Sequence, residues 1–200
     1  MSKPDYNAAL GKKHDEELGD ALLTVARNAI TERLGAATAV PLAHAALEAP
    51  GASFVTLTQY GALRGCIGSL EAHRQLMRDV RDNALAAAFR DPRFAPLRAA
   101  ELDITRVEVS LLTPATALTF QSEADLLAQL RPGIDGLILS YGERRGTFLP
   151  QVWESLPERR DFLAQLKRKA GMTPDFWHTD ITVARYEVMK WKEPAYTETS

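Results

Sequence analysis

The chain has 200 residues, 46% of them hydrophobic and 25% charged, with 24 lysines and arginines against 26 aspartates and glutamates. That suffices for one sizeable core or two small lobes, and so nearly neutral a charge lacks the field that drives sequence-independent binding to phosphate backbones, which disfavours nucleic acid as a partner. The longest weakly polar stretch, residues 35–52, is broken by Pro41, His44, Glu48 and Pro50 and cannot span a bilayer; the N-terminal MSKPDYNAALGKKHDEE has no apolar segment of a secretory kind, and the one cysteine suits a reducing compartment, so the expected location is cytoplasmic.

From about His14, the residues Leu18, Ala21, Leu22, Val25, Ala29, Ile30 and Leu34 recur at helical spacing, and Gly35 is placed to stop the helix. Ser53 to Gln59 and Ala62 to Ile67 flank Tyr60-Gly61, which predicts a hairpin. Ala72 to Phe89 carries Leu76, Val80, Ala84 and Ala87 or Ala88 on one face, a second helix ended by the prolines of Asp91-Pro92-Arg93-Phe94-Ala95-Pro96. Leu102, Ile104, Val107, Val109 and Leu111 mark a strand whose alternation slips between 104 and 107, as at a bulge.

Further on, Ser122 with Asp125 has the form of a capping box before Leu126, Leu127 and Leu130, a short helix stopped near Pro132-Gly133. Gly136 to Tyr141 and Gly146 to Leu149, joined by Gly142-Glu143-Arg144-Arg145, predict a second hairpin. Ser155 and Pro157 open a helix carrying Phe162, Leu163, Leu166 and Ala170, closed by Gly171; Ile181 to Trp191 is the last strand and Lys192 onward a polar tail. Hairpins interspersed with helices give an α+β class with mostly antiparallel sheet.

Elimination narrows the chemistry. The sequence has no GxxxxGK[ST], no GxGxxG, no HExxH and no GxSxG, and His14, His44, His73 and His178 are scattered, so no cofactor or metal is expected. What stands out is LRGCIGSL at residues 63–70, where the single cysteine, Cys66, lies between Gly65 and Gly68 and two residues after Arg64. A thiol becomes nucleophilic when a positive side chain or backbone N–H groups stabilise its thiolate. A free cysteine is also among the most buried of residues, and glycine in a strand equally serves close packing, so both readings stand. Asp135-Gly136 is a turn dipeptide before a strand. The run from Gly146 to Trp153, with Phe148 and Pro150 at its centre, reads either as a strand end packed on the next helix or as the aromatic wall of a pocket.

Taken together, LRGCIGSL with Phe54-Val55-Thr56-Leu57 and Gly61 before it, Asp91-Pro92-Arg93-Phe94 with Pro96, Asp135-Gly136-Leu137, Phe148-Leu149-Pro150-Gln151-Val152, and Phe162-Leu163 with Leu166, Lys169, Ala170 and Gly171 resemble the AMMECR-type domain family, the group of the AmmeMemoRadiSam system protein A. Ser69 stands where many relatives carry threonine. The resemblance covers residues 14–192 as one domain, leaving 1–13 and 193–200 as tails. It implies a larger and a smaller lobe with the cysteine motif facing a cleft, and a Memo-like protein and a radical SAM enzyme as partners.

Two functional expectations follow. In the first, the protein is a cysteine-dependent enzyme or catalytic subunit acting on a small molecule or modified side chain: Cys66 is the nucleophile, Asp135 orients or accepts a proton, and Arg64 with the Gly65 and Gly68 amides holds an anionic group. Phe148 and Pro150 then line the substrate site. In the second it is a non-catalytic binding module for a ligand, peptide or the Memo-like partner, and the thiol does no chemistry.

Overall fold

The computed structural model describes residues 3–194, with side chains from residue 15 onward; residues 195–200 of the expected tail lie outside them. The chain divides into two compact units, one of residues 1–111 and 190–200 and one of residues 112–189.

In the first unit, α1 (Lys3–Arg33) buries Leu18, Ala21, Leu22, Ala26, Ala29 and Ile30; of the expected face, Val25 and Leu34 are only partly buried, and Ala26 is added. It begins eleven residues before His14, and Gly35 beyond its end has φ +74°, a left-handed stop that glycine adopts without strain. β1 (Pro50–Gln59) and β2 (Ala62–Gly68) form the predicted antiparallel hairpin. Its turn residues Tyr60 and Gly61 have φ of 50° and 81°, the two-residue geometry whose twist matches that of the strands. The pairing shifts once: Leu57 faces Gly65 but Thr58 faces Leu63, so Arg64 is the extra residue of a bulge.

β3 (Arg74–Gln75) pairs back onto Pro50 and Gly51. That extended pair is why α2 (Leu76–Phe89) starts later than Ala72. α2 buries Leu76, Val80, Ala84, Ala87 and Ala88 as predicted, and with them the polar Asp79 and Asn83. A 3-10 turn, Ala99–Glu101, capped by Leu102, precedes β4 (Thr105–Leu112). The irregular spacing between 104 and 107 is therefore a change from turn to strand rather than a bulge.

The second unit contains β5 (Thr116–Ala117), α3 (Glu123–Gln129), β6 (Gly136–Tyr141), β7 (Arg144–Phe148), α4 (Arg159–Lys169) and β8 (Thr182–Tyr186), its sheet ordered β5-β8-β6-β7. The Ser122 hydroxyl accepts from the Asp125 N–H as expected, while the Asp125 carboxylate reaches back to the N–H of Gln121, one residue earlier than a capping box requires. The β6–β7 turn is Gly142-Glu143 alone, because Tyr141 pairs with Arg144. α4 starts at Arg159, and a 3-10 turn, Pro150–Glu154, fills the stretch before Ser155. α4 closes with Gly171 at φ +80°, its N–H bonded to the Arg168 carbonyl and that of Met172 to the Lys167 carbonyl, both at 2.9 Å. Leu126, Leu137, Leu139, Phe162, Leu163 and Leu166 form the core.

The single last strand expected from Ile181 to Trp191 is two strands. β8 ends at Tyr186 and β9 (Val188–Lys192) joins the first sheet, whose order is β2-β1-β4-β9 with β3 on β1. Glu187 between them donates its N–H to Thr113 Oγ1 at 2.8 Å and accepts the Thr113 N–H at 2.9 Å, which fixes the break. The fold is α+β, with four α-helices among the described residues and antiparallel hairpins in both sheets. None of those helices is long and apolar enough to cross a membrane.

Candidate functional site

Cys66 sits in β2 opposite Thr56 of β1, and β2 is the outermost strand of its sheet. Its backbone points away from β1: the N–H donates to Asp91 Oδ2 at 2.9 Å, and the carbonyl accepts from Arg93 Nη2 at 3.2 Å. Cys66 and Thr56 are thus a non-hydrogen-bonded antiparallel pair, the arrangement in which opposite side chains stand closest. The Thr56 hydroxyl accordingly donates to Cys66 Sγ at 3.3 Å, and the thiol is half-buried.

Asp91 and Arg93, from the turn after α2, occupy the backbone groups that another strand would use, one of the ways an edge is protected. The two are locked together: Arg93 donates through Nε at 2.9 Å, Nη2 at 2.7 Å and its backbone N–H at 3.1 Å. The Arg93 guanidinium, helped by the Cys66 N–H, holds the Asp91 carboxyl well below the usual carboxylate range against the opposing effect of burial. Asp91 in turn pushes the Arg93 guanidinium up, a direction to which the negative form of Cys66 adds.

Each glycine of the motif has a packing reason. A Cβ on Gly65 would lie 2.2 Å from the Ala87 carbonyl oxygen, so here the strand backbone rests on α2. A Cβ on Gly68 would lie 2.2 Å from the Phe54 ring, which covers it from β1. The close approach that these glycines permit is to the protein's own atoms.

The bulge sends the Arg64 guanidinium to the segment after Arg93. Nη2 donates to the Ala95 carbonyl at 2.8 Å, Glu101 Oε1 is 3.5 Å from both Nε and Nη2, and the Phe94 ring centroid is 5.8 Å from Cζ; Arg93 Cζ is 5.5 Å from the same ring. Arg64 Nη1 is shielded from solvent and has no hydrogen-bond partner. Burial pushes the Glu101 carboxyl up, but the Arg98 N–H, the Gln59 amide and the Arg98 and Arg64 guanidinia outweigh it, and its pKa lies below the ordinary value.

Beneath the end of the motif lies a second polar centre. The buried Asp79 carboxylate accepts at Oδ2 from the Ser53 N–H at 2.8 Å, the Ser53 hydroxyl at 2.7 Å and the Asn83 amide at 2.9 Å, and at Oδ1 from the Ser69 hydroxyl at 2.7 Å and Arg74 Nε at 3.0 Å. A fully buried carboxylate must be satisfied in this way. Its donors come from β1, the residue after β2, β3 and α2, so Asp79 fixes where the motif leaves its strand.

Arg64, Gly65, Cys66 and Gly68 lie in the first unit; Asp135, Phe148 and Pro150 lie in the second. Asp135 is fully buried, and its carboxylate accepts from Arg131 through the backbone N–H at 2.9 Å, Nε at 2.9 Å and Nη2 at 2.5 Å, while its carbonyl accepts from Trp153 Nε1 at 2.8 Å. Phe148 meets Phe162 edge-on at 5.3 Å and lies 5.1 Å from Lys169 Nζ. Trp153 stacks on Phe162 at 3.7 Å in the core, and Pro150 opens the 3-10 turn that carries it there. Those contacts are what the strand-end reading of Gly146 to Trp153 requires. Among the described residues no group of three or more His, Cys, Asp or Glu side chains is placed to hold a metal.

The elimination of motifs left Asp91, Arg93, Phe94 and Thr56 out of the candidate site. Arg93 and Phe94 belong to a turn that reads locally as a helix stop, and only tertiary folding brings that turn to the edge of β2.

An edge strand LRGCIG whose backbone is gripped by the Asp-Pro-Arg-Phe turn, in an α+β chain of two units, defines the class. The chain belongs to the AMMECR1 family, whose model matches residues 23–191. It is 41% identical over 146 residues to a protein of Methanothermobacter thermautotrophicus, covering 70% of this chain and 74% of that one. It is 34% identical over 199 residues to protein MK0488 of Methanopyrus kandleri, covering 92% and 94%. The crystal structure of the uncharacterised protein PH0010 from Pyrococcus horikoshii superimposes with a TM-score of 0.70 at 33% identity over 88% of this chain and 92% of that one.

Proposed function

We propose that this protein is a non-catalytic recognition module whose binding surface is the outer edge of β2 together with the 91–95 turn that covers it. The observation that carries this reading is how the donors are distributed: the sulfur of Cys66 already takes the Thr56 hydroxyl, whereas Arg64 Nη1 has no partner. A base within hydrogen-bond reach is one of the ways a catalytic thiol is activated. The carboxylate nearest the cysteine backbone, Asp91, is committed to Arg93 and the Cys66 N–H. In this reading Cys66 contributes a small side chain and a gripped backbone, and Arg64, Arg93 and Phe94 do the recognising.

A second reading, a cysteine-dependent enzyme or catalytic subunit, is favoured by the half-exposure of Cys66 beside the Arg93 guanidinium. Complementation of a deletion strain separates the two. Cys66→Ala and Cys66→Ser proteins that fold are expected to restore the wild-type phenotype, while Arg64→Gln does not; loss of complementation by a folded Cys66→Ala protein overturns the module in favour of the enzyme. A Memo-like protein and a radical SAM enzyme are the partners we assign from the family resemblance, in the cytoplasm, and co-purification of tagged wild-type protein with either one, lost on Arg64→Gln, is the corresponding measurement.

A further inference from the structure

We infer that the group recognised at this edge is an oxyanion, a carboxylate or a phosphoryl group, received by Arg64 and Arg93 beside the Phe94 ring. The inference rests on the recognition reading above and names the chemistry of what is recognised.

Arg64 is the first ground. A guanidinium carries five donors in a planar fork suited to carboxylate and phosphate oxygens, and a buried donor left without an acceptor costs free energy that a ligand oxygen would recover. Arg64 Nη1 is such a donor. The remaining contacts of the same guanidinium are uneven: 2.8 Å to the Ala95 carbonyl, but 3.5 Å to Glu101. A group held by one short bond turns toward an incoming anion without breaking a tight ion pair.

Arg93 supplies the fixed half. Asp91 engages its Nε and Nη2, which sets the plane of its guanidinium, and 53% of the side chain faces solvent. Both guanidinia lie within 6 Å of the Phe94 ring centroid, at 5.8 Å and 5.5 Å, so the same aromatic ring borders both cations. The neighbouring carboxylates are engaged by protein donors, Asp91 by Arg93 and the Cys66 N–H, and Glu101 by the Arg98 N–H and the Gln59 amide.

The test is isothermal titration of the full-length protein with inorganic phosphate and, separately, with succinate, each against sodium chloride at matched ionic strength. Wild type is expected to bind at least one of the two anions beyond the chloride control; a phosphate preference assigns a phosphoryl source and a succinate preference a carboxylate source. Arg64→Gln is expected to weaken binding about tenfold or more, the loss of one charge-assisted hydrogen bond. Arg93→Lys, which keeps a cation beside Asp91, gives a second variant should Arg64→Gln fold poorly, and the same loss is expected. Equal binding by wild type and both folded variants, or a response no larger than that to chloride, overturns the inference. If neither anion binds while Arg64→Gln still fails to complement and Cys66→Ala succeeds, the oxyanion is wrong and the recognition surface survives; if Cys66→Ala fails to complement while anion binding persists, the module reading is the one that falls.

Discussion

Gly65 and Gly68 flank the same thiol, but their substitution should not cost the same. The atom in the way of a Cβ on Gly65 is a backbone carbonyl of α2, which can retreat only with the helix, whereas Gly68 is covered by a Phe54 side chain that has a rotamer to give. Gly65→Ala is expected to destabilise by about 3 kcal/mol and Gly68→Ala by about 1 kcal/mol, the two ends of the range for overpacking; the urea midpoints of the two variants check the order. Asp91 makes the acid side of the stability curve sensitive to this same corner. Its carboxyl is lowered in the folded protein, chiefly by Arg93, so its contribution is present above the unfolded value of about 3.9 and is lost as pH falls below that. Melting temperatures measured between about pH 5 and pH 2 are expected to fall less steeply for Asp91→Asn than for wild type, from a lower starting point at neutral pH. A parallel fall would show that the lowered carboxyl does not contribute.

At the scale of elements, most boundaries follow from local chemistry. The Tyr60-Gly61 turn, the left-handed Gly35 and Gly171, and the Ser122 cap are each specified within four residues of sequence, and each stands where it was predicted. Ser122→Ala is expected to cost about 1 kcal/mol, the usual worth of an N-cap, seen as a lower urea midpoint with an unchanged slope. The boundaries that local chemistry misplaced share a physical cause. α2 starts late because Arg74 and Gln75 pair with β1, and β4 starts late because the 99–101 3-10 turn continues through turn residues 102–104. In both cases a neighbour distant in sequence, or a competing turn, takes residues whose own pattern suits the adjacent element.

For the molecule as a whole, the informative feature is that the first unit is completed by residues 190–194, which follow the second unit in the sequence. β9 closes the first sheet, Trp191 lies against Gly19 so tightly that a Cβ there would be 2.2 Å from its ring, and Glu193 accepts from Arg27 and from the Val107 N–H. Residue 193 is thus a structural member of the first unit although the sequence places it in a tail. Glu193→Ala strands Arg27 and the Val107 N–H and is expected to cost about 1–3 kcal/mol, moderated by the partial exposure of the pair. Hydrogen exchange should place the loss in α1 and β4, and protection unchanged there would show that the contact carries no stability.

The sequence by itself determined the α+β class, the helical faces, the hairpins and the family motif, because these depend on periodicity and turn chemistry that act over a few residues. Only the tertiary structure decided what surrounds Cys66. The Asp-Pro-Arg-Phe turn announces the end of a helix, and nothing in its spacing tells that Asp91 and Arg93 will grip a strand 25 residues earlier. Likewise no local pattern tells that the glycines answer to Ala87 and Phe54, that Arg64 is swung out by a bulge, or that the last strand splits between two sheets. Those are consequences of which backbones meet, and hydrogen-bond satisfaction and steric fit between distant segments set them.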